Sequence, residues 1–341
     1  MSDIAIIGAG AWGTAISIVL GRHGSHRVRL WAFEKEVCES IVARRSNDLF
    51  LMGAQIPESV VPTNSLQDAL RGAHIVVSVM PSHHCRRLFA QMAPHVTPQM
   101  MFVSATKGVE TDSLQRMSEV IAEVLRDKLR EPRIGALSGP SFAKEVARGD
   151  PTAITVASRD VQLAETVQRE FSSPCFRVYT NDDVPGVELG GALKNVIAIA
   201  AGVCDGLGLG YNTIAALITR GLAEITRLAV ACGARPETMA GLAGIGDLVL
   251  TCTGGLSRNR TVGVELGKGR PLSEIIAGMR GMVAEGVLTT QAAVGLANKY
   301  SVEMPITEQM DAILNRGKSP RDAIHELMTR RGTSEINLYR A

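Results

Sequence analysis

The chain has 341 residues, of which 45% are hydrophobic and 21% charged, values typical of a globular protein that buries a large core. Its formal net charge of +2 is too small to imply a nucleic-acid or membrane partner, so any anion site must be local. Because single cores rarely grow beyond about 250–300 residues, the length predicts two domains.

A glycine-rich turn stands at the start of the chain. Residues 4–7 are four apolar residues in a row, typical of a short strand buried on both faces. Gly8, Gly10 and Gly13 follow, and residues 11–20 have helical character. This is the context of the dinucleotide-binding fingerprint: the first glycine permits the turn, the second admits a pyrophosphate, and the third lets helix and strand pack closely. The alternative is a glycine-rich turn of some other α/β protein.

The first half of the chain alternates strand-like and helix-like segments. Residues 27–31 alternate like a second strand, and Glu34 follows about 20 residues after the glycine turn, where the fingerprint expects an acid for the adenosine ribose. A helix is predicted over residues 111–130. Further strands are predicted at 74–80, 100–104, 134–137, 153–157 and 175–179. Strands that alternate with helices predict a parallel, doubly wound (Rossmann-like) sheet.

The pattern changes around residues 181–186, after which apolar stretches with helical period dominate. Two long buried helices are predicted over 187–201 and 213–232, with Asn212 as the cap of the second. Shorter helices are predicted over 273–279, 289–300, 306–314 and 321–328, the last begun by Ser319 and Pro320. We therefore predict an α/β dinucleotide-binding domain over residues 1–186 and an all-α substrate and catalytic domain over residues 187–341.

Two lysine-bearing loops follow predicted strands. Lys107 comes shortly after the strand at 100–104, and residues 137–144 follow the next one. In open α/β sheets, ligands bind beyond the carboxyl ends of the strands. A single lysine there is usually a solvated surface charge, but two loops at the same edge indicate a site.

Lys194 and Asn195 lie inside an otherwise apolar helix, where an unpaired ammonium group would be costly to bury. A desolvated lysine shifts its pKa readily toward the range that a general acid or base needs. A lysine that extends to the surface is the alternative, and for this helix alone it is favoured. In a chain that also binds a nicotinamide cofactor, the catalytic role becomes the better interpretation.

A third cluster covers residues 244–260. Asp247 stands between apolar residues, which predicts a buried carboxylate that is either structural or a partner of Lys194. Ser257, Arg258, Asn259 and Arg260 look like the start of a helix that carries two guanidinium groups. Their hydroxyl, guanidinium and amide donors suit phosphate recognition. A solvated basic turn is the alternative.

The six cysteines are scattered without a C-x-x-C pair, and the sequence shows no metal-ligand spacing. We therefore expect reduced thiols and no bound metal. The first strand begins at the amino terminus, so we expect no signal or transit peptide, and the most apolar run, residues 196–204, is too short to span a bilayer. Together these features predict a soluble, cytoplasmic protein without a membrane span.

Six segments resemble, in order, the motifs of NAD(P)-dependent sn-glycerol-3-phosphate dehydrogenase, and their layout is similar to the bacterial form. They are residues 8–15, 104–108, 137–146, 192–196, 243–253 and 257–260. The resemblance runs to about residue 330. It implies dihydroxyacetone phosphate and sn-glycerol 3-phosphate as the substrate pair, and a supply of glycerol 3-phosphate to phospholipid synthesis. We also expect a homodimer.

The resemblance places the family's catalytic lysine at Lys194, with Asn195, Asp247 and Thr251 positioning it. Substrate-binding roles are predicted for Lys107, Gly139, Ser141, Lys194, Asp247, Ser257, Arg258 and Asn259. Cofactor-binding roles are predicted for Gly8, Gly10, Ala11, Trp12, Gly13, Phe33, Glu34, Lys107, Ala143, Arg258, Val283 and Glu285.

The segment after the second strand bears on the choice of cofactor. Many bacterial members carry an arginine after the tryptophan there, but here Trp31 precedes Ala32, Phe33 and Glu34, which resembles the NAD-linked eukaryotic enzymes. We therefore expect NAD(H), with NADP(H) as a second candidate because Lys35 could reach a 2′-phosphate.

Two alternative functions stay open from the sequence. A β-hydroxyacid dehydrogenase has a similar domain plan, but its substrate carries a carboxylate, and the cluster at 257–260 suits a phosphate. A nicotinamide-sensing regulator without turnover would have no need of Lys194.

Overall fold

The computed structural model describes residues 2–279, 284–332, 334 and 335. The chain divides into two compact units, Met1–Thr106 with Met117–Val184, and Lys107–Arg116 with Pro185–Ala341. The sequence placed Lys107 in the first domain, but its segment packs with the second unit. Val109 belongs to the hydrophobic core of that unit, which explains why the segment leaves the first one.

The first unit is built on one eight-stranded sheet with the order β10-β9-β8-β7-β6-β1-β2-β5, beside a two-stranded hairpin of β3 and β4. The strands are β1 (Ser2–Ile7), β2 (His26–Trp31), β3 (Ser46–Asn47), β4 (Leu51–Gln55), β5 (Val60–Thr63), β6 (Ile75–Ser78), β7 (Met101–Ser104), β8 (Arg133–Ser138), β9 (Thr152–Ala157) and β10 (Phe176–Asn181). Neighbouring strands of the large sheet are parallel except β8 and β9, which pair antiparallel. The predicted parallel arrangement was wrong for this one pair, since a buried apolar run does not indicate the direction of its strand.

Helices cover both faces of the sheet, which confirms the doubly wound α/β fold. The helices of this unit are α1 (Ala11–Arg22), α2 (Lys35–Arg44), α3 (Leu66–Leu70), α4 (Cys85–Met92), α5 (Met117–Leu125), α6 (Ala143–Arg148) and α7 (Val161–Phe171). Side chains of α1, α2, α6 and α7 share one apolar cluster with the sheet, and those of α3, α4 and α5 share the other. Both cores fix the carboxyl edge of the strands, where the candidate site lies.

The helix predicted over 111–130 is shorter in the structure, where α5 begins at Met117. Leu114 has a left-handed backbone (φ 58°), which a right-handed helix cannot contain. Val109 and Arg116 instead form an isolated antiparallel bridge, so the intervening residues make a tight loop.

The second unit is helical, as predicted. Its helices are α8 (Val184–Gly206), α9 (Tyr211–Ala231), α10 (Pro236–Met239), α11 (Asp247–Thr253), α12 (Arg258–Gly267), α13 (Leu272–Gly278), α14 (Glu285–Tyr300), α15 (Pro305–Arg316) and α16 (Pro320–Thr329). The cap predicted at Asn212 was wrong, because α9 begins at Tyr211, two residues before the predicted start, and its cap is Gly210. Ser319 does cap α16, accepting a hydrogen bond from the Asp322 N–H.

Helix α8 is the centre of this unit. Within the described residues it is the one unbroken helix that is long and apolar enough to cross a membrane, yet that stretch is entirely buried inside the protein, as in a core helix. It crosses α12 at close range through two pairs of glycines, Gly202 with Gly206 and Gly263 with Gly267. A Cβ atom at any of these positions would collide with the backbone of the opposite helix. The crossing holds α12 against the carboxyl-terminal half of α8.

The buried carboxylate of Glu224 on α9 caps a helix to which it does not belong. Its oxygens accept hydrogen bonds from the Ile306 N–H (2.7 Å) and the Thr307 N–H (3.2 Å) in the first turn of α15. Burial raises the pKa of Glu224 to about 7, while these hydrogen bonds and Arg227 act in the opposite direction. A folded-state pKa above the ordinary value means that the stabilising contribution is complete below about pH 4.5 and is lost as the pH rises through about 7.

We therefore expect Glu224→Gln to change how stability depends on pH. Between pH 5 and 8.5, wild type should lose on the order of 2–3 kcal/mol of unfolding free energy that the uncharged variant does not lose. At pH 5 the variant should be the less stable protein, because its amide NH2 group cannot accept a hydrogen bond from the helix N–H donors, whereas the hydroxyl oxygen of the protonated carboxyl still can. Thermal melts across this range measure the difference, with Glu303→Gln, an exposed carboxylate in the same unit, as the control. Parallel melting curves for wild type and Glu224→Gln would contradict the expectation.

Candidate active site

The glycine turn between β1 and α1 has the geometry that its spacing predicts. Gly8 has φ of 122°, and a Cβ atom there would collide with the Val79 carbonyl. A Cβ atom at Gly13 would collide with the Gly8 carbonyl, so helix and strand approach as closely as the fingerprint requires. At Gly10, the cap residue of α1, the Cβ position has no atom within 4 Å. The open side of the turn therefore lies at the helix amino end, where a phosphate binds.

Buried polar atoms at the carboxyl edge of the sheet fit the same ligand. Ser78, Ser104 and Ser138 are the last residues of β6, β7 and β8, and all three are buried. Their hydroxyl groups, and the indole N–H of Trp12 on α1, have no hydrogen-bond partner in the part of the chain that the structure describes. Such atoms are rare unless a ligand or water satisfies them. The glycine turn and this row of donors together fit a dinucleotide.

Sequence reasoning missed the three serines. The available signal was a serine at the end of each of three consecutive apolar strands. It points to a ligand site only once the sheet is known to place Ser78 and Ser104 side by side.

The residues predicted at the adenosine end follow β2. Phe33 is 71% exposed, and its ring stands edge-on to Trp31. Glu34 is half-buried at the start of α2. Lys35 extends away along α2, where its ammonium lies 3.6 Å from the Glu39 carboxylate. That ion pair weakens the case for Lys35 as a 2′-phosphate ligand.

The loop after β8 carries Gly139, Ser141 and Ala143. Gly139 has φ of 136°, and a Cβ atom there would press on Ile154 of β9. The Ser141 hydroxyl donates to the Gly139 carbonyl at 2.9 Å, which closes the turn. Ala143 then begins α6. The loop thus lies beyond the carboxyl end of a strand, as predicted.

In the second unit, Lys194 of α8 lies in a buried cluster of charges. Its ammonium donates to the Asp247 Oδ1 atom (2.7 Å) and to the Thr251 hydroxyl (2.8 Å). The other carboxylate oxygen, Oδ2, accepts from the Lys107 ammonium at 2.7 Å. Lys194 is 5% exposed and Asp247 1% exposed. Of the two alternatives for Asp247, partner of Lys194 is therefore the one that the geometry favours, and the second bond to Lys107 was not foreseen.

The electrostatics of this cluster suit proton transfer. Burial lowers the pKa of Lys194 to about 8, and the positive charge of Lys107 acts in the same direction while Asp247 opposes it. Burial would raise the pKa of Asp247, but the two ammonium groups outweigh it and hold that pKa below its usual range. The carboxylate thus stays ionised while Lys194 exchanges its proton near neutral pH, which general acid–base chemistry requires.

Two glycines bring Asp247 to α8. Residues 242–246 form a wide helical turn just before α11, and at Gly244 a Cβ atom would collide with the Met239 backbone. Where α8 meets this turn, Gly190 leaves no room for a Cβ atom beside the Ala243 carbonyl. Asp247 then begins α11 one turn before Thr251, whose hydroxyl donates to the Asp247 carbonyl at 2.6 Å. Carboxylate and hydroxyl are therefore held on one helix face toward Lys194.

The amino ends of α12 and α14 meet near Asn195. Ser257 caps α12 by accepting from the Arg260 N–H, and the Asn259 Oδ1 atom accepts from the Gly286 N–H in the first turn of α14 (3.0 Å). A Cβ atom at Gly286 would touch the Asn195 carbonyl, so α14 starts directly against α8. Two helix amino ends at one place favour an anion.

The two arginines near the amino ends of α12 and α14 differ in whether they are already paired. The side chain of Arg258 is exposed to solvent, and although desolvation lowers its pKa, Glu285 at the start of α14 opposes that shift. Arg260 instead pairs with Asp205 at 2.9 Å, so of the two predicted guanidinium groups it is Arg258 that the geometry favours as an anion ligand. Val283 lies outside the described residues. In the described parts of the chain, no group of three or more His, Cys, Asp or Glu side chains could hold a metal ion.

A dinucleotide-binding unit, followed in the same chain by a helical unit with a buried lysine–carboxylate pair, defines a nicotinamide-dependent dehydrogenase. The family models for the two halves of NAD-dependent glycerol-3-phosphate dehydrogenase match residues 3–164 (N-terminus) and 183–325 (C-terminus). The chain belongs to the NAD-dependent glycerol-3-phosphate dehydrogenase family.

Individual relatives agree with the family models. The chain is 73% identical over 336 residues to a Koribacter versatilis protein named glycerol-3-phosphate dehydrogenase (NAD(P)+), covering 98% of this chain and 99% of that one. It is 56% identical to the protein of the same name from Acidobacterium capsulatum, covering 98% and 100%. The crystal structure of glycerol-3-phosphate dehydrogenase from Coxiella burnetii matches with a TM-score of 0.92 at 40% identity, covering 96% and 99%.

Proposed function

We propose that this chain interconverts dihydroxyacetone phosphate and sn-glycerol 3-phosphate with NAD(H), and with NADP(H) as a second cofactor. The observation that carries the proposal is the buried Lys194–Asp247 pair, in which an ammonium with a pKa of about 8 is held by a carboxylate that stays ionised. Membership of the glycerol-3-phosphate dehydrogenase family supports the substrate pair over the β-hydroxyacid alternative.

The reaction assigns a proton-transfer role to Lys194. The residues of the glycine turn would hold NADH, and when bound it would supply the hydride for the carbonyl carbon of the substrate. The Lys194 ammonium then donates a proton to the alkoxide oxygen, and in the reverse direction the neutral amine takes that proton from the hydroxyl group. Asp247 and Thr251 hold the Lys194 Nζ atom through hydrogen bonds of 2.7 and 2.8 Å, and Lys107 keeps the carboxylate ionised. Asn195, the next residue on α8, completes the predicted catalytic set.

The substrate phosphate is assigned to the amino ends of α12 and α14. Arg258 supplies an exposed guanidinium group. The side-chain oxygen of Asn259 accepts a hydrogen bond at the start of α14, so its amide N–H groups can donate to the phosphate. Ser257 contributes through the cap that orders the first turn of α12. Lys107, Gly139 and Ser141 stay predicted substrate contacts from the family resemblance.

The cofactor is assigned to the glycine turn and the residues around it. Gly8, Gly10, Ala11, Trp12 and Gly13 would hold the pyrophosphate, and Phe33 and Glu34 the adenosine. Lys107, Ala143, Arg258, Val283 and Glu285 stay predicted cofactor contacts. A cytoplasmic location, a homodimer and a supply of glycerol 3-phosphate to phospholipid synthesis complete the proposal, each supported by the family resemblance.

The test is oxidation of NADH and of NADPH by the purified protein with dihydroxyacetone phosphate. We expect turnover, with kcat/KM for NADH at least equal to that for NADPH, because the Glu34 carboxylate repels a 2′-phosphate. Glu34→Ala should shift the ratio toward NADPH. The matched control is Glu36→Ala, which removes an exposed carboxylate in the first turn of the same helix and leaves the Lys35–Glu39 pair in place.

Absence of turnover with either cofactor would favour the regulator and overturn the proposed function. A wild-type preference for NADPH above about tenfold would contradict only the role of Glu34 and would leave the proposed function standing.

A further inference from the structure

Asn47 is a buried asparagine in the short hairpin of β3 and β4, and it reaches the glycine turn from 38 residues away. It is 1% exposed. Its amide nitrogen donates to the Ala9 carbonyl (2.7 Å) and to the Thr14 hydroxyl (2.8 Å), and its amide oxygen accepts from the Phe50 N–H (3.2 Å). Both amide hydrogens thus form hydrogen bonds to the glycine turn and α1, and the amide oxygen forms one to the hairpin that carries Asn47.

The carbonyl that Asn47 holds lies at the centre of the fingerprint. Ala9 stands between Gly8 and Gly10, after the last residue of β1 and before the first residue of α1. The Thr14 hydroxyl also donates to this carbonyl, at 3.2 Å. Side chains, rather than a strand or helix ladder, therefore fix the direction of the Ala9 carbonyl.

That direction determines where the Gly10 N–H points. The peptide bond between Ala9 and Gly10 is trans, and in a planar trans peptide the N–H is directed opposite to the carbonyl. With the carbonyl anchored on Asn47 and Thr14, the Gly10 N–H faces away from them. Gly10 is also the residue whose side-chain position is open, at the amino end of α1.

We propose that Asn47 is a positioning residue for the cofactor: by anchoring the Ala9 carbonyl, it aims the Gly10 N–H at the pyrophosphate of the dinucleotide. This inference rests on the proposed function, in which the glycine turn binds NADH. Asn47 touches no ligand itself, and its contribution is preorganisation of a donor that would otherwise rotate with its peptide.

The test uses the full chain and measures NADH binding by fluorescence titration, beside kcat and the KM of each substrate. Asn47→Leu removes the donors at similar size, and Asn47→Asp replaces a donor with a carboxylate oxygen that faces the Ala9 carbonyl. We expect both variants to weaken NADH binding at pH 8 by about 10- to 100-fold. At saturating NADH, kcat and the KM for dihydroxyacetone phosphate should stay close to wild type.

A pH series separates positioning from general loss of structure. On acidification, the introduced carboxyl group of Asn47→Asp gains a proton that it can donate to the Ala9 carbonyl, so its NADH affinity should recover toward wild type. Asn47→Leu should show no such recovery. The control is Gln168→Glu, which changes another amide that donates to a backbone carbonyl in the same unit, that of Val178 (2.9 Å).

The outcomes distinguish this inference from the proposed function. If wild type binds no NADH, the proposed function fails. If wild type binds NADH and both Asn47 variants bind it as tightly at pH 8, the positioning role is overturned. It is also overturned if kcat falls while NADH affinity is unchanged, or if Gln168→Glu loses as much affinity as the Asn47 variants.

Discussion

Lys194→Met is expected to lower kcat by about 10²–10⁴-fold, the usual contribution of a general acid or base, while NADH binding is retained. The variant should stay folded, because Asp247 keeps its ion pair with Lys107 at 2.7 Å and no buried charge is left without a partner. Steady-state kinetics and thermal melts measure the two effects. Lys268→Met, which removes a surface lysine paired with Glu265, is the matched control and should leave kcat unchanged.

The acid–base role of Lys194 also predicts opposite pH dependences for the two directions of the reaction. Reduction needs the ammonium form of Lys194, so kcat/KM for dihydroxyacetone phosphate should fall as the pH rises through about 8. Oxidation needs the neutral amine, so kcat/KM for glycerol 3-phosphate should rise through the same pH. Lys194→Met should lose both dependences. A kcat loss below about tenfold would remove Lys194 from the acid–base role.

The features that the sequence predicted are local ones. The run of apolar residues before Gly8, and the spacing of Gly8, Gly10 and Gly13, determine the turn within a few residues, because only glycine fits the positions beside Val79 and beside the Gly8 carbonyl. The helix start predicted at residues 257–260 is equally local, since the Ser257 hydroxyl accepts a hydrogen bond from the N–H three residues on. The sequence pattern changes from alternating strands and helices to helices alone. That change correctly predicted an α/β first unit and a helical second unit.

The features that escaped prediction depend on contacts distant in sequence. Lys107 and Asp247 are 140 residues apart, and nothing near either residue shows that they share a salt bridge. Asn47 is an unremarkable polar residue until the hairpin places it at Ala9. The antiparallel pairing of β9 has no pattern of its own either, so only the assembled sheet reveals it.

Arg258 is the residue on which the phosphate assignment depends. It stands at the first position of α12, with its side chain exposed, while Asn259 joins the start of α12 to the start of α14. The partial positive charges of the two helix amino ends and the guanidinium group of Arg258 attract an anion to the same place. The net charge of the whole chain is only +2. Phosphate binding at this corner therefore needs no general basic surface.

Arg258→Ala should lower kcat/KM for dihydroxyacetone phosphate by about 10- to 150-fold, since a hydrogen bond to a charged group contributes roughly 1.5–3 kcal/mol. At saturating NADH, where a weakened cofactor contact no longer limits the rate, unphosphorylated dihydroxyacetone, already a poor substrate, should lose little. Added guanidinium ion should restore part of the activity toward the phosphorylated substrate. Arg260→Ala is the matched control two residues away, because that guanidinium is already paired with Asp205 at 2.9 Å. If both substrates lose activity equally, Arg258 belongs to the cofactor site or to the fold, and the phosphate must be held elsewhere.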